Sequence, residues 1–156
     1  MGHGRGVDGT IAAMEIRIEQ EVRAPREEVW KELSDLGSHA SWMRDAREVQ
    51  FLGESTSGVG TRMRVPTRIG PVRTNDILEV TDWVEGKSMT VRHLGIVSGT
   101  GQFRLEGDGP TVVIWEEELR FPWWLGGLIA AMAARPFLDL IWSGNLKRFA
   151  ARFSET

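Results

Sequence analysis

The chain of 156 residues contains no cysteine and no tyrosine, and only three histidines. Without cysteine there is no disulfide framework, no thiol nucleophile and no cysteine metal site. Three histidines leave little for a zinc centre, so neither a metal nor a cofactor is expected. Basic residues are not in excess either: 19 Lys and Arg face 22 Asp and Glu, for a formal net charge of -3. That balance argues against nucleic acid as a partner, since such binders usually carry a basic footprint. Residues 1–13 lack the apolar run of about 7–15 residues that a secretory signal needs. They read as a disordered tail, and a cytoplasmic location follows. The stretch 121–144 is strongly apolar, but Pro122, Arg135, Pro136 and Asp139 interrupt it, and a spanning helix wants about 18 or more uninterrupted apolar residues. Two glycine motifs are decoys. Gly4 to Gly9 fits G-x-G-x-x-G without a preceding strand or a following helix, and Gly53 to Gly60 lacks the lysine of a phosphate loop.

What is present describes an ordinary globular domain, 41% hydrophobic and 26% charged, expected over residues 14–156. From Met14 to Arg23 apolar and charged residues alternate, the pattern of a strand with one wet face. Pro25 followed by Glu27 and Glu28 marks a helix start, with Val29, Trp30 and Leu33 as its buried stripe. His39 to Trp42 fits a second short helix or turn. Strands are predicted near 47–53, 60–67, 71–83, 87–94, 98–106 and 111–120, separated by glycine-rich turns too short for parallel crossovers. Leu128, Met132, Arg135, Leu138, Trp142, Leu146, Phe149 and Phe153 then recur at helical steps of three and four. Pro136 is expected to kink or divide that helix. The fold class is α+β: a curved seven-stranded antiparallel sheet with two short helices and a long C-terminal helix across its concave face. A cavity between them is the natural by-product.

Several stretches resemble a known family. Ala24-Pro25, Val29-Trp30, Leu33, Asp35 and Trp42 look like the opening of the polyketide cyclase/dehydrase and lipid transport group, within the START/Bet v 1-like (SRPBCC) superfamily. Val59-Gly60-Thr61, Gly99-x-Gly101-x-Phe103 and Trp115-x-Glu117 ahead of Pro122 are similar to its bacterial members. The likeness runs over about residues 14–154. It implies a helix-grip fold around a hydrophobic pocket, in a superfamily whose members bind, carry or transform lipids, polyketides, hormones and ubiquinone-like molecules. The superfamily shares no single catalytic set.

Turn positions give the strand facing. A hairpin centred near Glu85-Gly86 sets Val80 opposite Val91 and Leu78 opposite His93. The next turn sets His93 opposite Gly99 and Val91 opposite Gly101. The last, centred on Asp108, sets Phe103 opposite Val113, Gly101 opposite Trp115 and Gly99 opposite Glu117. One face then gathers Leu78, Val80, Met89, Val91, Phe103, Val113, Trp115 and Leu119, and this is the inner face. Asp76, His93 and Glu117 fall on it too. His93 and Glu117 lie two strands apart, roughly 9–10 Å at about 4.8 Å per strand. A water, a ligand oxygen or a direct side-chain hydrogen bond would fill that gap. The pair serves either as general acid and base, with Asp76 as a less certain third group, or as a buried polar pair or ligand anchor. Gly99 and Gly101 either leave room for a ligand beneath Trp115 or permit a bend in the sheet. Arg135 reaches a ligand carboxylate or Glu117, or else pairs with Asp139 one turn on. Met132, Leu138 and Trp142 form the helix wall of the pocket. Trp123 and Trp124 either plug the end of the barrel or dock on a membrane.

The leading functional reading is the binding of a small hydrophobic ligand, a lipid, polyketide or similar molecule, in an internal cavity. The alternatives are a cyclase or dehydratase using His93 and Glu117, and a lipid-transfer module touching membranes transiently through Trp123 and Trp124.

Overall fold

A computed structural model describes residues 12–69 and 72–154. Most of the expected N-terminal tail and the Gly70-Pro71 turn therefore lie outside the described residues. The sheet has seven antiparallel strands in the order β1-β7-β6-β5-β4-β3-β2. They are β1 (Ala12–Val22), β2 (Gln50–Phe51), β3 (Arg62–Ile69), β4 (Val72–Val84), β5 (Ser88–Leu94), β6 (Ser98–Gly107) and β7 (Thr111–Phe121). Between β1 and β2 come α1 (Arg26–Leu33) and a 3-10 helix (Leu36–Ser41); a 3-10 turn (Trp123–Leu125) leads into α2 (Gly127–Ala151).

The alternation in β1 does what its period requires. Met14, Ile16, Ile18 and Val22 are buried, while Glu15, Arg17, Glu19 and Glu21 face water. On the outer face Arg17 pairs with Glu116 on β7 at 2.9 Å, and Arg104 on β6 reaches the same carboxylate at 3.4 Å. α1 buries Val29, Trp30 and Leu33, as its spacing predicts. It is pinned to the β4–β5 hairpin by Glu85, whose carboxylate accepts the indole N–H of Trp30 at 2.7 Å and of Trp83 at 2.8 Å. Those two hydrogen bonds hold the Glu85 carboxyl below its ordinary range.

α2 packs chiefly along β1 and against β7. Its inward stripe is Leu138, Trp142, Leu146 and Phe149. Asn145, which breaks the apolar pattern in the sequence, is fully buried and has a use. Its amide donates to Asp45 at 2.7 Å, and its carbonyl accepts the Arg44 backbone N–H at 3.1 Å as well as the Arg148 guanidinium. Trp142 adds an indole bond to Asp45 at 3.1 Å, and Arg148 donates to the Trp42 carbonyl at 3.1 Å. This latch fixes the C-terminal half of α2 to the segment after the 3-10 helix.

The structure corrects the sequence reading in three places. The β6–β7 register is shifted by two: Phe103 pairs with Trp115, Gly101 with Glu117 and Gly99 with Leu119. Pro110 has no N–H to offer the ladder, so pairing starts at Thr111 opposite Gly107 and the turn centre moves from Asp108 to Gly109. Because the shift is even, every side chain keeps its face. The β4–β5 register agrees with expectation for Leu78, Val80, Val91 and His93, but a bulge at Thr81 intervenes before Asp82 pairs with Thr90. α2, finally, runs unbroken through Pro136.

Replacing Asn145 with Leu should lower unfolding free energy by about 1–3 kcal/mol, because the Arg44 N–H loses its acceptor and Asp45 keeps only the Trp142 indole. Urea denaturation with an unchanged slope would measure this. A variant as stable as the parent would show that the latch contributes nothing.

Candidate functional site

β4, β5, β6 and β7 bring Asp76, His93, Gly101 and Glu117 onto one patch of the inner face. His93 opposes Leu78 on β4 and Gly99 on β6, whereas Glu117 opposes Gly101. The two side chains therefore meet on a diagonal, and the gap between their strands is closed by a direct hydrogen bond, His93 Nε2 to Glu117 Oε2 at 2.8 Å. The other carboxylate oxygen of Glu117 accepts the Trp115 indole N–H at 2.9 Å. On the far side of the imidazole, Nδ1 lies 3.7 Å from Asp76 Oδ2. The result is a chain, Asp76–His93–Glu117–Trp115, crossing four strands. Exposure falls along it, from 30% for the Asp76 side chain to 11% for His93 and 6% for Glu117.

Burial alone would push the His93 pKa down. The Asp76 carboxylate beside Nδ1 and the hydrogen-bonded Glu117 carboxylate outweigh that and raise it to about 10. His93 is thus an imidazolium at neutral pH. His39 is the contrast: burial holds its pKa low, and its Nε2 is bonded to the Leu33 carbonyl at 2.7 Å. It is a neutral core residue packed between Trp42 and Phe103.

The two glycines serve the protein's own atoms. A Cβ on Gly101 would collide with the Glu117 carboxylate, so the absent side chain is the seat of that carboxylate and not room for a ligand beneath Trp115. Gly99 has φ +139, and a Cβ there would strike the Glu118 carbonyl. This backbone approach fits the bend reading.

The other predicted residues divide by depth. Val80, Met89, Val113, Trp115 and Leu119 are closed into the core, with Leu138 and Trp142 above them. Trp115 stacks on Trp142 with ring centroids 5.0 Å apart, and on its other side packs against Phe103 at 4.9 Å. Leu78, Val91 and Phe103 are only partly buried, since the packing of α2 is concentrated on the β1–β7 side. Two helix residues depart from expectation. Met132 is 67% exposed; at about 100° per residue it sits at the margin of the stripe defined by Leu138 and Trp142, and it turns outward. Arg135 is exposed and makes no ion pair, either with Glu117 or with Asp139. It borders an open groove of about 660 Å³ lined mainly by outer-face residues such as Arg17, Gln102 and Glu116. Trp123 and Trp124 do not plug the barrel: Trp123 is 72% exposed and Trp124 59%. Sequence reasoning passed over Trp42, whose buried indole N–H has no acceptor among the described residues. The only signal for it was its place in the family-like opening.

The sequence model for polyketide cyclase / dehydrase and lipid transport proteins matches residues 13–154. The chain belongs to this family. No curated protein matches it. Among solved structures, the family member resembles the Zhui aromatase/cyclase from Streptomyces sp. R1128, with a TM-score of 0.76 at 16% identity over 91% of this chain and 94% of that one. The di-domain ARO/CYC StfQ from the steffimycin biosynthetic pathway gives 0.75 at 12% identity, over 92% of this chain and 51% of that one. A START superfamily protein from Mycobacterium smegmatis gives 0.71 at 14%, over 90% and 97%. Likeness at these identities speaks to the helix-grip fold, which the chain shares.

The raised His93 pKa is also a statement about stability. A group whose folded pKa exceeds its unfolded value, about 6.5 for histidine, contributes stability that is complete below that value and is lost as pH rises through about 10. In an NMR titration, the His93 ring should therefore show no midpoint within the window between those two values. Glu117→Gln should bring its midpoint down into or below that window. A native ring titrating near 6.5 would refute the ion pair.

Proposed function

We propose that this protein binds a small, largely apolar molecule carrying a carbonyl or hydroxyl oxygen, with its apolar body on Leu78, Val91 and Phe103 and its oxygen at His93 and Asp76. The observation that carries this reading is the incomplete end of the polar chain. Both Glu117 oxygens and His93 Nε2 are engaged. His93 Nδ1, at 3.7 Å from Asp76, lies beyond hydrogen-bond length. A charged N–H held so loosely, beside partly covered apolar side chains, suits a ligand oxygen. The Trp42 N–H, without an acceptor among the described residues, is a second donor in the same interior, and an unmet buried donor costs about 1–3 kcal/mol. Apolar burial supplies affinity at about 25 cal/mol per Å², and the polar pair sets orientation. Val80, Met89, Val113, Trp115, Leu119, Leu138 and Trp142 back this surface. Gly99 and Gly101 shape it.

A cyclase or dehydratase activity is the second reading; two of the structural neighbours are named as aromatase/cyclase and ARO/CYC proteins. The protonation state of His93 favours it. In a dehydration the imidazolium gives its Nδ1 proton to a leaving hydroxyl, which departs as water. The Asp76 carboxylate takes the hydrogen from the adjacent carbon, whose bonding electrons form the new double bond. Glu117, sealed behind His93, keeps the imidazole charged and placed. Asp76, His93 and Glu117 are the residues this reading rests on.

Thermal-shift and native mass-spectrometric titrations with a long-chain fatty acid and a hydroxyanthraquinone test the binding reading. At least one should stabilise the protein. His93→Gln should weaken it on the order of tenfold, the worth of one hydrogen bond from a charged donor. If neither compound nor any lipid copurified from the expression host binds, the reading fails. Turnover lost in Glu117→Gln with ligand still bound would establish the enzyme.

A further inference from the structure

The charges around His93 are uneven. The imidazolium stands between Asp76 and Glu117, one cation against two anions. Glu117 is fully engaged: one oxygen accepts from His93 Nε2 at 2.8 Å and the other from the Trp115 indole at 2.9 Å. Asp76 is not. Its Oδ2 lies 3.7 Å from His93 Nδ1, too far for a hydrogen bond between the two. Its Oδ1 is crowded by the β5–β6 turn, where a Cβ on Gly95 would lie 3.3 Å from it. The carboxylate thus sits between the turn and the ring, with Oδ2 towards Nδ1.

Among the described residues, no strand arginine shares this face. Arg64, Arg73, Arg92 and Arg104 all fall at the alternate positions, whose side chains go to the outer face. Arg135 on α2 borders a groove that already holds four glutamates, Glu15, Glu116, Glu117 and Glu118. His93 is therefore the cation a ligand would meet, and it already answers two carboxylates.

From this arrangement we infer, resting on the binding reading, that the ligand's polar group is a neutral hydroxyl, alcoholic or phenolic, set between His93 and Asp76, and that a carboxylate is refused. A hydroxyl has both a lone pair and a proton. It accepts from Nδ1 and donates to Asp76 Oδ2, so one oxygen completes two groups that do not reach each other. A carbonyl or ether oxygen only accepts. It meets Nδ1 but covers Asp76 without giving it a donor, and a polar group covered without a partner is costly. An ammonium has no lone pair for Nδ1 and sets a second cation against the imidazolium. A carboxylate adds a third anion to a site with one cation. Leu78, opposite His93 on β4, and Val91 on β5 offer partly covered apolar surface on the same face for the body of the ligand. Asp76 is thus the residue that sets selectivity.

Calorimetric titration at neutral pH with three probes of one body tests this: naphthol, methoxynaphthalene and naphthoate, substituted at the same ring position. Naphthol should bind at least about tenfold tighter than the ether, the worth of one hydrogen bond to a charged group. Its margin over naphthoate should also be at least about tenfold, from repulsion between like charges. In Asp76→Asn, whose amide carbonyl still accepts the hydroxyl, the margin over naphthoate should shrink to about threefold or less. The probe comparison in the parent protein decides the matter even if that variant does not fold. Equal affinity for naphthol and its ether, naphthoate binding as tightly as naphthol, or an unchanged margin in a folded Asp76→Asn would each overturn the inference and leave the binding reading standing. So would a long-chain fatty acid that binds when none of the three probes does. If the probes, the fatty acid and the hydroxyanthraquinone all fail to bind, both readings fall.

Discussion

A single helix about 10–12 Å across covers about two strands spaced roughly 4.8 Å apart, and this sheet has seven. Everything else on the concave face follows from that mismatch. α2 lies over β1 and β7, where the latch through Asn145 and Asp45 holds it. The strands beyond need another cover. Large aromatic rings supply part of it: Trp42, Phe103, Trp115, Trp142 and Phe149 bridge from helix to sheet in a run of edge and stacked contacts. Where that run ends, at Leu78 and Val91, the inner face is only partly covered. One helix on a wide curved sheet thus leaves part of the inner face without a full cover.

At that margin sits a buried ion pair. Such pairs are poor evidence of stability, since removing two charges from water consumes much of what their attraction returns. The surroundings of His93 and Glu117 show how the cost is met. Trp115 occupies the second carboxylate oxygen, Gly101 vacates the volume the carboxylate fills, and Asp76 balances the outer side of the ring. Each is a separate concession of sequence to one charged contact. The pair therefore reads as a specified feature, and its looser flank towards Asp76 is where its proton is accessible.

Much of this was legible in the residue order. The alternation of β1 and the stripe Leu138, Trp142, Leu146 and Phe149 gave the two layers. Facing survived a misplaced turn because side chains alternate with period two, so the slip introduced by Pro110 moved pairings without turning Glu117 outward. The same slip concealed the real role of Gly101, since with Trp115 set opposite it the glycine resembles space for a ligand. Local patterns also could not distinguish a hydrophobic residue at the stripe's margin from one at its centre, which is why Met132 was placed inside. Phe121-Pro122-Trp123-Trp124 reads equally as plug or dock, because an indole's amphipathic character permits both. Only the path of the chain after β7 separates them.

Five of the seven tryptophans, Trp30, Trp42, Trp83, Trp115 and Trp142, are buried or partly buried, and two of these lie almost face to face. Indoles stacked at 5.0 Å and 26° couple their electronic transitions. The far-ultraviolet dichroism of this protein should therefore carry a signed couplet from Trp115 and Trp142, beside that of the edge-on Trp30 and Trp83 pair. Of the stacked pair, one ring belongs to the sheet and the other to the C-terminal helix. The protein thus carries an intrinsic optical gauge of how tightly its two layers are clasped.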